Sequence, residues 1–373
     1  MSGTSLDGID VALVDTDGDR VLRFGPTGYR AYSEAERRLL RQALAEAVRL
    51  HDRSARPGAV AEAEQLVTHL HGDSVEALIA ANGIDRASIE IIGFHGQTLL
   101  HRPEQGLTVQ VGDGGALAAR LGIPIAFDFR AADVAAGGQG APLVPVFHRA
   151  LVNTLERPQP VAVLNIGGVA NVTYCDGGHE PIACDTGPGN ALIDDFMRAR
   201  TGRSFDENGD HAAGGKIDQS FLARVLGHSF FAAPPPKSLD RNAFAFVNEE
   251  LTDVSVRDGA ATLAALTAKA VGCIVPHLPR PPRSWIVAGG GARNRALMRM
   301  LADELSPALL ETAEQVGWSA DALEAQAFAY LAVRTLHGLP ITFPTTTGVA
   351  RPLTGGIVAT PSRDGARTAS GVP

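Results

Sequence analysis

At 373 residues the chain exceeds a single core of ordinary size, so about two domains with a working cleft between them are expected. Hydrophobic residues at 45% and charged residues at 20% give the balance of a folded globular protein, and a net charge of -8 excludes general attraction to a nucleic-acid backbone. The three cysteines, Cys175, Cys184 and Cys273, have no Cys-x-x-Cys spacing, which removes a disulfide framework and a thiolate zinc site.

No basic stretch leading into an apolar one opens the sequence, and no uninterrupted apolar run approaches the ~20 residues of a membrane span, so a cytoplasmic chain without a membrane partner is expected. Ile9 to Asp15 alternates and ends at a glycine-bearing turn, predicting a strand that returns through Arg20 to Phe24. Ser33 to Asn82 predicts long cover helices. Short strands follow at 89–94, 108–111 and 123–127, with a helix from Gly115 to Leu121 stopped by Gly122, which implies an α/β sheet.

The breaker-rich stretch Ala135 to Pro142 predicts a hinge, dividing the chain into an N-terminal lobe over 1–140 and a C-terminal lobe over 141–356. A helix is expected from Leu143 to Leu155. The runs Val161 to Ile166 and Val169 to Tyr174, joined by Gly167-Gly168, predict a hairpin. Ser284 to Ala288 runs as a strand into Gly289-Gly290-Gly291 and a helix, and Ser319 to His337 reads as a further helix. The Ser, Thr, Gly, Arg and Pro composition at the end predicts a disordered tail over 357–373.

The chemistry concentrates in a few turns. In Asp185-Thr-Gly-Pro-Gly-Asn190 a carboxylate leads a turn that glycine, proline and asparagine make possible, as suits a base beside a phosphate site. Ser2 to Asp10 packs hydroxyls, glycines and two carboxylates into one turn; its amides and hydroxyls suit phosphate oxygens, and Asp7 or Asp10 suits a hydrated magnesium ion. Neither Gly-x-x-x-x-Gly-Lys-Ser/Thr nor a full Gly-x-Gly-x-x-Gly occurs, which removes the P-loop and the dinucleotide fingerprint. Gly289 to Asn294 lets backbone approach a flat ligand at a helix start.

Asp206 to Asp210 resembles a calcium loop but has His211 where glycine is needed, so calcium is excluded there. His95, His101 and His148 lack ligand spacing and read as structural histidines, His95 gaining a sugar-lining role from its neighbours Gly93 to Thr98. Glu324 shares a helical face with Ala327, Phe328 and Leu331 and so needs a partner or a ligand. Arg130 at a strand end suits a carboxylate or phosphate, and a structural Arg–Glu ion pair explains it equally well.

Six motifs in order, Met1 to Gly8, Gly96 to Thr98, Phe127 to Pro142, Asn165 to Gly168, Asp185 to Asn190 and Gly289 to Gly291, together resemble the anhydro-N-acetylmuramic acid kinase family. The resemblance implies an α/β, two-lobed sugar kinase/Hsp70/actin (ribonuclease H-like) fold with an interlobe cleft for ATP and sugar. By it, Gly3, Thr4, Ser5, Leu6, Asp7, Gly8, Ile9 and Asp10 form a first phosphate loop. Asn165, Gly167 and Gly168 lie in a second, and Gly289, Gly290, Gly291 and Asn294 contact adenosine. Asp185 matches the catalytic base, and Thr98, Arg130, Gly187, Asn190 and Glu324 match positions near the sugar, Arg130 reading its lactyl carboxylate.

The implied reaction is ATP-dependent, hydrolytic opening of the 1,6-anhydro bridge with phosphorylation of O6, in peptidoglycan recycling, by a homodimer. Magnesium is expected because phosphoryl transfer relies on positioning and metal-assisted charge neutralisation. Relatives of this kind carry a strand ahead of the first loop, whereas this sequence starts inside that motif at Met1. The first hairpin is therefore expected to lack a sheet partner, with the true start upstream. A kinase of the same fold acting on another sugar would differ over Phe127 to Pro142, and a sugar-sensing regulator would not need Asp185.

Overall fold

The computed structural model describes residues 1–3 and 5–361. Thr4 of the first loop and the end of the expected tail, 362–373, lie outside them. In chain order the strands are β1 Gly8–Thr16, β2 Val21–Ala31, β3 Ile92–Phe94, β4 Gln97–Arg102, β5 Leu107–Val111, β6 Ile125–Phe127, β7 Val161–Ile166, β8 Val169–Cys175, β9 Ile182–Pro188, β10 Ser284–Ala288, β11 Leu309–Thr312 and β12 Ile357–Ala359.

The chain forms two compact units. One holds Met1–Thr154 and the described residues from Ala322 on; the other is Leu155–Asp321. Both expected lobe boundaries therefore shift. The helix Leu323–Leu336 packs against β1, β3 and β6, and β12 pairs antiparallel with β6, so 322–361 belongs with the first unit. Ile357 to Ala359, expected in the disordered tail, is a paired strand because β6 offers it an edge.

In the first unit β1 and β2 make a two-stranded sheet, and Ser2 forms an isolated bridge with Ile9. Helix Glu34–Ala47 starts at Ser33, whose hydroxyl accepts from the Glu36 amide while Glu36 returns to the Ser33 amide. Helix Gly58–Asn82 ends at left-handed Gly83. Their buried faces, with Leu40, Val60, Val67 and Leu117, make one core with Val109 and Ile125. The helix expected from Ser319 begins at Leu323, after a turn over 320–322, and Ala322 gives it no side-chain cap.

The second unit is built on a five-stranded sheet ordered β11-β10-β7-β8-β9. β10 runs parallel to β7 and β11, and β7-β8-β9 is an antiparallel meander. Every residue of β10 is buried, as the unbroken apolar run Trp285 to Ala288 requires. Helix Val256–Gly272 packs against β9 and the helices Asn190–Thr201 and Arg295–Leu305. With the turn to His277 it is long and apolar enough to cross a membrane, at a mean hydropathy of 1.5, but 72% of that window is buried in the protein, as in a core helix. Register sets Ala288, Asn165, Asn171 and Asp185 in one row across the sheet.

β3 meets helix Leu323–Leu336 so closely that a Cβ at Gly93 would stand 1.9 Å from the Phe328 carbonyl oxygen. Backbone cannot yield there as a side chain can. Gly93→Ala is expected to lower stability by about 3 kcal/mol, at the upper end of overpacking costs. Urea denaturation followed by circular dichroism checks this, and an unchanged midpoint would show that the helix shifts freely.

Candidate active site

Asp185 sits inside β9 rather than ahead of a turn, four residues from the start of helix Asn190–Thr201. Its amide donates to the Lys237 carbonyl at 2.9 Å, and its Oδ2 accepts from the Leu239 amide at 2.7 Å. One short strap therefore grips both backbone and carboxylate. Burial pushes the Asp185 carboxyl up to about 6, against the lowering effects of the Leu239 amide and the Lys237 charge. Lys237 is anchored in turn: its ammonium donates to the Phe230 carbonyl at 2.8 Å and lies 4.6 Å from the ring centre.

The β7–β8 turn stands next to this base. The Gly167 carbonyl accepts from the Asn190 amide at 2.8 Å, and that of Gly168 from Gly189 and Ala191 at 3.0 and 3.2 Å. The first amides of helix Asn190–Thr201 are thus satisfied by the turn. A Cβ at Gly189 would lie 2.4 Å from the Gly167 oxygen, so only glycine allows this approach. Asn190 Nδ2 donates to the Ile166 carbonyl at 3.1 Å, holding the end of β7.

Gly289, at φ 80°, continues β10 into a tight turn against the same strand end. A Cβ there would stand 2.6 Å from Asn165 Oδ1, and one at Gly291 2.3 Å from Ile166 Cγ2. The triple glycine lets the adenosine turn and the second phosphate turn share one wall. Gly289 and Gly290 open onto a hollow lined by Ala292, Arg293, Glu314 and Ala320.

Two residues of this unit expected at the ligands also have roles in the fold. Asn294 is buried, and its Oδ1 accepts from the amides of Ala296 and Leu297 at 3.1 and 3.0 Å, capping helix Arg295–Leu305. Gly187 is buried where a Cβ would press on Ala270 at 2.8 Å, so its small size serves packing.

In the first unit the loop before β1 turns through Leu6 at φ 55°. Ser5 Oγ donates to Asp7 Oδ1 at 2.7 Å, and the Gly8 amide donates to the same oxygen at 2.9 Å. Gln97 Nε2 donates to the Gly3 carbonyl at 3.1 Å, tying the loop to β4. Leu6 and Ile9, expected within the first phosphate loop, have their side chains in the core at 6% and 0% exposure. Gly8 is also buried: a Cβ would meet the Arg30 carbonyl at 2.4 Å. Asp7 and Asp10 remain as hard oxygen donors, and among the described residues no cluster of three metal-ligating groups forms.

Arg130 donates to the Gly140 carbonyl at 2.7 Å and to His95 Nε2 at 3.1 Å. His95 Nδ1 lies 2.9 Å from the Gly96 carbonyl, which assigns its proton there and its lone pair to the guanidinium. Burial, then the Arg130 charge, pull His95 down to about 3, so it is neutral. Arg130 Nε is buried without a partner, and among the described residues no carboxylate lies within ion-pair reach. The structural ion pair thus gives way to a guanidinium short of an anion.

Thr98 Oγ1 accepts from Gln110 Nε2 at 3.3 Å. Glu324 stands exposed in the first turn of its helix, rather than on the buried face expected for it. Its carboxyl is pushed up by burial first; Arg130 opposes this and Asp10 and Asp7 add to it. Two features escaped the sequence reading: His95 as the orienter of Arg130, and the strap Lys237 to Arg241 on Asp185. The run Pro234-Pro235-Pro236 before Lys237 is the one local signal for a stiff strap.

Residues 1–361 match the family described as AnmK, anhydro-N-acetylmuramic acid kinase. A protein so named from Rhodopseudomonas palustris is 62% identical over 361 residues, covering 97% of this chain and 98% of its own. That from Nitrobacter winogradskyi is 60% identical with the same coverage. Among solved structures, the activator of 2-hydroxyisocaproyl-CoA dehydratase from Clostridium difficile with bound ADPNP is 12% identical, covers 89% of this chain and 96% of its own, and has a TM-score of 0.42. The chain is a kinase built on an α/β fold. It belongs to the anhydro-N-acetylmuramic acid kinase family.

The raised Asp185 carboxyl has a cost in stability. With its folded pKa near 6 and its ordinary value at 3.8, the folded form binds the proton more tightly, so the Asp185 contribution to stability falls as pH rises through that window. Asp185→Asn is expected to stabilise the protein at pH 8 by about 1–3 kcal/mol, and by far less at pH 4. Thermal unfolding at the two pH values checks it; a mutant less stable at pH 8 would mean that the carboxylate is held favourably.

Proposed function

We propose that this protein uses ATP and water to open the 1,6-anhydro bridge of anhydro-N-acetylmuramic acid and to phosphorylate O6, yielding N-acetylmuramic acid 6-phosphate and ADP. The observation that carries this reading is Asp185, a mostly buried carboxylate fixed by the Leu239 amide and raised to about 6, where it is ionised at neutral pH yet basic enough to take a proton. The reading is supported by family membership and by the relatives' names.

In this reaction Asp185 takes one proton from water as the water oxygen bonds to the anomeric carbon and the bond from that carbon to O6 breaks. The freed O6 attacks the γ-phosphorus, the bond to the β-phosphate bridging oxygen breaks, and ADP leaves. The proton on Asp185 passes to solvent. Arg130, buried and without a carboxylate partner, takes the lactyl carboxylate, and His95 fixes the direction of its fork. Thr98, Asn190 and Glu324 complete the sugar contacts. Gly167, Gly168, Asn165 and Gly289 to Gly291 hold nucleotide on the second unit, and Gly3, Ser5 and Gly8 offer polar backbone and a hydroxyl on the first.

The hard donors Asp7 and Asp10 fit magnesium that keeps several waters and phosphate oxygens; bound there, the ion neutralises phosphate charge. Use of ATP fits a cytoplasmic protein, and the family resemblance implies a homodimer acting in peptidoglycan recycling.

Incubated with ATP, magnesium and anhydro-N-acetylmuramic acid in ¹⁸O water, the protein is expected to release ADP and a 6-phosphorylated sugar labelled at C1. Label elsewhere, or no phosphosugar, would sink the reading. Asp185→Asn is expected to lower kcat by roughly 10²–10⁴-fold. Because the base must be ionised, kcat/KM is expected to fall with unit slope below about pH 6, a limb absent from the residual activity of the mutant. Arg130→Gln is expected to raise KM for the sugar about 10–100-fold while leaving ATP unaffected, and to act weakly on a sugar lacking the lactyl group. Equal losses on both sugars would remove the carboxylate role.

A further inference from the structure

We infer that Arg241 touches the phosphoryl group being transferred, supplying a guanidinium at the Gly167-Gly168 turn; the inference rests on the proposed kinase reading. Three observations meet at this point. The carbonyls of Gly167 and Gly168 face helix Asn190–Thr201, and among the described residues their amides have no acceptor. Arg241 lies along the same turn: a Cβ at Gly168 would stand 3.6 Å from its Nε and 3.9 Å from its Cδ. At that separation the turn and the guanidinium stem lie side by side in ordinary van der Waals contact. Two open amides beside a cation form a site for a phosphoryl oxygen, and no residue of the turn itself brings charge.

The partners Arg241 has are loose. It reaches both oxygens of Asp195 at 3.3 Å, longer than the ~2.8 Å of a strong charged bond, and Asp195 is shared with Arg198 at 2.9 Å. Asp194, beside them, is pushed up to about 6 by burial first, with Arg198 and Arg241 opposing. Arg241 is half-exposed and free to leave Asp195 for a phosphate, for which its fork is well matched.

The covalent placement strengthens the case. Arg241 follows Leu239 by two residues, and the Leu239 amide holds the Asp185 carboxylate. One strap therefore fixes the base and delivers the cation. As O6 bonds to the γ-phosphorus and the bond to the ADP oxygen breaks, negative charge moves onto the phosphoryl and leaving oxygens, and the guanidinium stabilises it there without accepting or giving a proton.

The test compares Arg241→Ala and Arg241→Lys with the parent, using β,γ-imido-ATP and ADP with magnesium as probes alongside turnover. Arg241→Ala is expected to weaken the imido-ATP about tenfold or more and ADP less than about twofold, and to lower kcat roughly 10²–10³-fold with the sugar KM little changed. Added guanidinium ion is expected to restore part of the activity of Arg241→Ala, a recovery that lost folding would not show. Arg241→Lys keeps charge without the fork and is expected to fall between the two. Equal weakening of both nucleotides, or kcat within about twofold of the parent, overturns the inference. If the parent binds both nucleotides but makes no phosphosugar, the sugar reading fails, and the imido-ATP to ADP ratio still decides Arg241.

Discussion

The hydrogen bond from the Leu239 amide to Asp185 Oδ2 is the constraint on which the rest of the second unit depends. A mostly buried carboxylate is costly when charged, and its usual remedy, a nearby arginine, would depress its pKa and remove its basicity. A single neutral amide avoids this. It fixes the carboxylate in direction while burial keeps it near 6, which a paired carboxylate would not be. Lys237 lies close enough to oppose the shift, but its ammonium is committed to the Phe230 carbonyl and ring.

That grip matters because the sheet already holds Asp185 from the other side. Asn171 pairs with it in register, Asn165 with Asn171, and Ala288 with Asn165, so a displacement of β9 would carry through to both glycine turns. The glycines that looked like a phosphate-binding signature serve this rigidity as much as any ligand. Gly189 admits the Gly167 carbonyl, Gly289 and Gly291 admit the end of β7, and the amides of the helix after β9 are used up inside the protein. A helix start whose amides are committed cannot also be the anion site; the open amides belong to the turn itself.

What the sequence revealed follows the range of the interactions. The β7–β8 hairpin, β10, and the helix stopped by Gly122 rest on neighbours in sequence, and they stand within a residue or two of expectation. Asp185 was legible as a functional carboxylate through its turn chemistry, although it lies in a strand. The strap was not, because Leu239 meets Asp185 across 54 residues and no local periodicity encodes that. The unit boundary failed for the same reason: Ala135 to Pro142 has the composition of a hinge, whereas the true division depends on where helix Leu323–Leu336 and β12 dock. Leu6 and Ile9 were read with their loop, and tertiary packing takes their side chains into the core.

Among the described residues three carboxylates are pushed upward, Asp185, Asp194 and Glu324, and environment separates the roles of Asp185 and Glu324. Glu324 has no hydrogen-bond donor among the described residues, reaches water, and owes part of its shift to the nearby charges of Asp10 and Asp7. Any cation or phosphate exchange around those aspartates would move its pKa, so its protonation follows the ligand state of the first loop. Asp185 is shifted by burial, opposed by the Leu239 amide and the Lys237 charge, both from its own unit. A general base has to hold a constant proton affinity and a constant direction through the cycle, and only Asp185 has both. In the proposed reading Glu324, under the charge of Arg130, is better suited to accept from the hydroxyl groups of a bound sugar.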